Sequence, residues 1–133
     1  MYNRKSIRIM DIFTQDKPIY LQICDRLCDE ILAGQYYDDN RIPSVREYGT
    51  LLQVNANTAV KAYEQLSRDG IIYQRRGMGY FVTAGARDRI MEQRKEELLH
   101  SKLPNVFSDM SILGITIEDI LSAYKEWSDD QAQ

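Results

Sequence analysis

The sequence predicts a mainly α fold with one small β-hairpin, an α+β arrangement, and three observations point to it. Apolar residues recur at helical spacing in three stretches before residue 69. A β-branched and aromatic run, a glycine-bearing turn and a second such run follow at once. Residues 85–133 then carry amphipathic stripes that so short a segment cannot bury alone.

Each element follows from local signals. Residues 8–13 (RIMDIF) read as a short extended segment, and TQDKP as turn chemistry ahead of a helix. A first helix opens near Pro18. There Ile19, Ile23, Leu27 and Ile31 repeat every four residues beside Tyr20, Cys24, Cys28 and Leu32, making a broad apolar face that Gly34 ends as a left-handed cap. YYDDNRIP reads as a polar connection. Ser44 and Glu47 form a capping-box pattern for a second helix over 44–52. Asn55 caps a third over 55–68, with Val60, Tyr63 and Leu66 as its apolar stripe. Only Gln53 and Val54 separate the two, which forces a helix-turn-helix corner. IIYQ, RRGMG and YFVT then read as strand, turn and strand. An isolated hairpin is marginal, so Ile71, Ile72, Phe81 and Val82 must pack it on the helices. Three helices followed by a hairpin is the winged-helix order.

Residues 86–102 are rich in Arg, Glu and Lys and read as an exposed linker helix. Beyond Pro104, Val106, Phe107, Met110 and Leu113 make a short amphipathic element closed by Gly114. Thr116 and Asp119 repeat the capping pattern ahead of a stripe of Ile117, Ile120, Leu121, Tyr124 and Trp127, and the terminal SDDQAQ is expected to be disordered. The chain thus divides into a winged helix-turn-helix over 1–84 and a helical linker and dimerisation region over 85–133. The dimerisation residues are Phe107, Met110, Leu113, Ile117, Ile120, Leu121, Tyr124 and Trp127. Two-fold symmetry is the economical way to cover such stripes.

Composition narrows the function classes. The chain has 133 residues and a formal charge of -3, which at first argues against a nucleic-acid partner. The charge is segregated. Residues 41–76 hold Arg41, Arg46, Lys61, Arg68, Arg75 and Arg76 against Glu47, Glu64 and Asp69, whereas 86–133 is net acidic. The middle is therefore the anion-facing part. No apolar run is long enough for a membrane helix and no signal peptide is evident, so a cytoplasmic location is expected. Cys24 and Cys28 read as core thiols, and with His100 the only histidine no metal or other cofactor is expected. No phosphate loop or nucleophile–base pairing suggests an enzyme.

Candidate contacts lie on the helix-turn-helix and the hairpin. A recognition helix needs outward polar groups near its N-terminus, and Asn55, Asn57, Thr58 and Lys61 fit, although Asn55 and Thr58 equally suit a capping role. Arg46 early in the second helix suits phosphate or guanine, and Ser44 can donate to phosphate as well as cap. Arg75 and Arg76 are expected at the hairpin tip beside Gly77 and Gly79, where backbone and guanidinium can approach a sugar-phosphate wall.

These segments resemble the GntR family of regulators, specifically its short-tailed YtrA-like subfamily. PIYLQICDRLCDEILAG is similar to that family's first helix, RIPSVREYGTLLQV to its second helix and turn, NANTAVKAYEQLSRDG to its recognition helix and IIYQRRGMGYFV to its wing. Ala56 stands where this subfamily often has Pro, and Tyr48-Gly49-Thr50 replaces the more usual Leu-Ala. The resemblance implies DNA contacts at Ser44, Arg46, Asn55, Asn57, Thr58, Lys61, Arg75, Arg76, Gly77 and Gly79. It also implies a homodimer built by the tail, acting as repressor on a palindromic operator of its own operon and an adjacent transporter operon. A small-molecule effector is left open, with no residue signature for one.

Overall fold

A computed structural model describes residues 16–132. The expected extended segment at 8–13 lies outside the described residues. The elements are α1 (Ile19–Leu32), α2 (Val45–Leu52), α3 (Ala56–Arg68), β1 (Ile72–Arg75), β2 (Gly79–Val82), α4 (Ala86–Glu97), α5 (Leu103–Leu113) and α6 (Ile117–Gln131). The chain forms two compact units, divided between Met91 and Glu92.

In the first unit, α1 supplies Ile23, Cys24, Leu27, Cys28 and Ile31 to a core shared with Tyr48 and Leu52 of α2 and with Ala62, Tyr63 and Leu66 of α3. Each large apolar side chain so enclosed contributes roughly 1.5–3 kcal/mol. On α3 the buried stripe is Ala59, Ala62, Tyr63 and Leu66; Val60, expected inward, is 40% exposed. These four follow the i, i+3, i+4, i+7 spacing of one helix face, and Val60, one residue on from Ala59, lies about 100° round from it.

β1 and β2 pair antiparallel, with Ile72 opposite Val82 and Tyr73 opposite Phe81. Ile72 and Val82 face the core as predicted. The connection ahead of α2 is more than a polar link. Asp39 donates its backbone N–H to the Val82 carbonyl at 2.8 Å, Ile42 donates to Tyr80 at 3.0 Å, and Val82 donates to Asn40 at 2.9 Å. Residues 39–42 therefore lie along the β2 edge and satisfy backbone groups that a bare hairpin would leave to water.

The tail differs from expectation in three places. The linker helix is not exposed from its start, because Ala86 and Ile90 are fully buried in the first unit's core. Arg87 donates to the Leu32 carbonyl, one of the groups the end of α1 leaves unpaired. The linker helix and the amphipathic element beyond Pro104, expected as separate elements, are joined. A π-helical turn, Leu98–Lys102, joins α4 to α5, with Leu103 N–H donating to the Leu98 carbonyl five residues back. That wider turn relieves the clash between the proline ring and the carbonyl of His100. Finally, Ser128–Gln131 is helical, continuing α6 rather than fraying.

Within the second unit, Gly114 caps α5 in the left-handed conformation and Thr116 with Asp119 forms the complete capping box of α6. Phe107, Leu113, Ile117, Leu121, Tyr124 and Trp127 are exposed in the single chain, while Met110 and Ile120 are half-buried.

Candidate nucleic-acid interface

The helix-turn-helix corner is set by Gln53, which takes the left-handed conformation (φ 56°) and ends α2. Val54 then donates to the Gly49 carbonyl at 3.0 Å, and Asn55 begins the cap of α3. α2 and α3 pack tightly, since a Cβ added to Gly49 would stand 3.4 Å from the Ala59 Cβ. The fully buried Tyr63 fixes α3 from beneath by donating its hydroxyl to the Pro43 carbonyl at 2.6 Å. Its ring meets Tyr80 edge-on at 5.0 Å, tying recognition helix to wing. Burial pushes its hydroxyl pKa up, so this donor never titrates in the physiological range.

At the start of α2, the Ser44 hydroxyl accepts from Glu47 N–H at 3.1 Å, and Glu47 Oε1 accepts from Ser44 N–H at 3.1 Å. Hydrogen bonds from the Ser44 backbone N–H and then from its side chain hold the Glu47 carboxyl below its ordinary pKa. Arg46, the second residue of α2, stands exposed beside this cap.

At the start of α3, Asn55 Oδ1 accepts from Asn57 N–H at 2.8 Å, so capping commits its carbonyl and leaves its NH2 as a donor. Asn57 and Lys61 are exposed, opposite the buried stripe, while Thr58 is half-buried at the margin. Lys61 is held, its Nζ lying 4.2 Å from the ring centroid of Tyr20 on α1. Tyr20 was not among the sequence candidates. Its pairing with Lys61 joins positions forty-one apart and leaves no local signal.

The wing places its arginines differently from expectation. Arg75 belongs to β1 and is not at the tip; its Cζ sits 4.8 Å above the Phe81 ring centroid and 5.6 Å from that of Tyr73, the two rings being stacked at 5.7 Å. Arg75 Nη2 donates to the Tyr73 hydroxyl at 3.2 Å, and that hydroxyl donates to Asp39 Oδ1 at 2.7 Å. The second bond raises the Tyr73 pKa. Arg76, Gly77 and Met78 make the turn, all exposed. Gly77 (φ 77°) has open space where a Cβ would project, so its backbone is free to approach a flat surface. Gly79 (φ 103°) is covered by the Arg41 guanidinium, whose Nε would lie 3.2 Å from an added Cβ. Arg41 and the exposed Met78 were also missed. Arg41 reads from sequence as a loop charge, and only its pairing opposite Phe81 across the wing gives it a direction.

Among the described residues no group of acidic, His and Cys side chains could hold a metal ion, and no helix is long and apolar enough to cross a membrane.

Comparison with known proteins agrees with this geometry. The family model "Bacterial regulatory proteins, gntR family" matches residues 19–82, from α1 to the end of the wing. The HTH-type transcriptional repressor YtrA of Bacillus subtilis (strain 168) is 34% identical over 85% of this chain and 86% of its own length. A crystal structure from Bacteroides thetaiotaomicron, described as a transcriptional regulator of the GntR family, superposes with a TM-score of 0.74 at 46% identity, covering 85% of this chain and 98% of that one. The DNA-binding domain of AraR in complex with operator ORX1 superposes with a TM-score of 0.50 at 28% identity over 53% of this chain and 92% of that one. A winged helix-turn-helix built from these residues, continuous with relatives along nearly their whole length, makes this chain a YtrA-like member of the GntR family of bacterial transcription regulators.

Proposed function

We propose that this chain is a cytoplasmic homodimeric repressor that occupies a palindromic operator of its own operon and of a neighbouring transporter operon. The observation that carries the DNA reading is the two-sidedness of α3. Ala59, Ala62, Tyr63 and Leu66 are buried, while Asn57 and Lys61 face solvent beside the N-terminal turn that Asn55 caps. Such a helix suits the major groove, with Asn57 reading a base edge and the free N–H groups of α2, next to Ser44 and Arg46, meeting phosphate. Arg76 and Gly77 at the open turn suit the adjacent sugar-phosphate wall or minor groove. The AraR complex, in which a similar domain is bound to an operator, supports this reading.

The dimer reading rests on the second unit. Phe107, Leu113, Ile117, Leu121, Tyr124 and Trp127 are each at least half exposed in one chain, an apolar surface that a second copy would cover. Genome-wide capture of DNA bound to the protein identifies the operator and regulated genes. On that operator Arg46→Ala should weaken binding by about 1–3 kcal/mol. Unchanged affinity removes Arg46 from the contacts. Sedimentation of Leu121→Glu should show a monomer where the wild type is a dimer; a wild-type monomer overturns the dimer.

A further inference from the structure

Arg41 pairs with Phe81 across the edge of the wing. Directly opposed residues of a pleated pair project to the same side, so Arg41 shares a face with Phe81 and with Tyr73, the partner of Phe81 on β1. Arg75 lies on that face too, stacked on both rings. Arg75 is the register partner of Gly79, and Arg41 lies over Gly79 with Nε at 3.2 Å and Nη2 at 3.6 Å from where a Cβ would stand. Arg41 over Gly79 and Arg75 over the Phe81 and Tyr73 rings therefore lie on one face of the wing, around the one position of β2 that has no side chain.

The nearby carboxylates act on these arginines only from a distance, Glu47 on Arg41 through space and Asp39 on Arg75 across the Tyr73 hydroxyl. Asp39 accepts from Tyr73, Glu47 accepts from Ser44, and neither arginine makes a salt bridge among the described residues. Two cations on one exposed face attract an anion placed between them. Arg75 is already oriented by the rings and the Tyr73 hydroxyl, so little side-chain entropy remains to be lost on binding. The site suits a single phosphate oxyanion resting against Gly79.

We infer that Arg41 and Arg75 form a phosphate clamp on the face of the wing, making Arg41 a further contact to the DNA backbone. This rests on the DNA-binding reading above. A backbone phosphate carries no sequence information, so the clamp should act on any duplex.

The full chain is titrated into a fluorescently labelled 30-base-pair duplex of arbitrary sequence, by anisotropy from about 50 to 200 mM KCl. Arg41→Ala should lower the slope of log K against log salt by about 0.9 for each protomer bound, and Arg41→Lys should restore it because it keeps the charge. Circular dichroism of both variants verifies the fold. An unchanged slope for Arg41→Ala overturns the clamp while leaving the DNA reading intact. A wild-type chain that binds no duplex overturns both.

Discussion

Gly49 sits inside α2, where glycine is a poor helix former, and its backbone is not in the left-handed region that would require it. Replacing it by Ala should stabilise the protein. Helix propensity alone favours Ala by about 0.8–1.0 kcal/mol. The new methyl would meet the Ala59 Cβ at 3.4 Å and the Val54 carbonyl at 3.7 Å, contacts at the short end of the ordinary van der Waals range. Burial of that methyl adds a few tenths of a kcal/mol, and any small adjustment of α3 offsets it, so the net gain should be about 1 kcal/mol. For a unit of this size that is a rise in Tm of roughly 4–8 °C. The assay is urea and thermal unfolding followed by circular dichroism, at one protein concentration because association shifts the midpoint. Gly49→Leu provides the contrast: its extra carbons run into Ala59 and Val54 and should cost about 1–3 kcal/mol. A lower midpoint for Gly49→Ala would refute the reasoning, since it would mean that α2 and α3 approach more closely than the structure describes.

Three further outcomes are expected. Tyr63→Phe removes the donor to the Pro43 carbonyl, and urea unfolding should show a loss of about 1–2 kcal/mol; equal stability would mean that water replaces that bond at no cost. Tyr20→Leu removes the ring beneath Lys61 and should weaken duplex binding about two- to fivefold, while Tyr20→Phe, which keeps the ring face, should not; equal weakening by both, or by neither, dissociates Tyr20 from Lys61. Glu30, which accepts the Tyr48 hydroxyl at 2.9 Å, is held above its ordinary value near 4.5 by burial. The folded state thus holds that proton more tightly than the unfolded chain, and stability is lost as pH rises from about 4.5 through the raised value. Glu30→Gln should remove that loss, so its stability relative to wild type should increase between pH 4 and 7; a constant difference refutes the assignment.

The helix-turn-helix was legible because its signals are local. Ser44 with Glu47, Asn55, and Thr116 with Asp119 cap helices from a few residues away, and the apolar face of α1 repeats over its full length. What escaped depends on distant partners. Residues 39–42 join the wing through backbone hydrogen bonds, which no side chain advertises. Arg75 leaves the tip because Tyr73 and Phe81, on different strands, build a platform for it. Ala86 and Ile90 are two apolar positions in a charged stretch, too few to reveal that the helix begins docked. The stretches before and beyond Pro104 read as separate elements, whereas one widened turn joins them.

The two cysteines have a chemical consequence. Cys24 points its Sγ at the Ala62 carbonyl, 3.3 Å away, and desolvation pushes its pKa up to about 12. Buried in this way, the thiol is held away from the thiolate, the form that attacks peroxide or a disulfide. A regulator built this way is blind to oxidants at that position, and whatever signal it obeys must enter by another door.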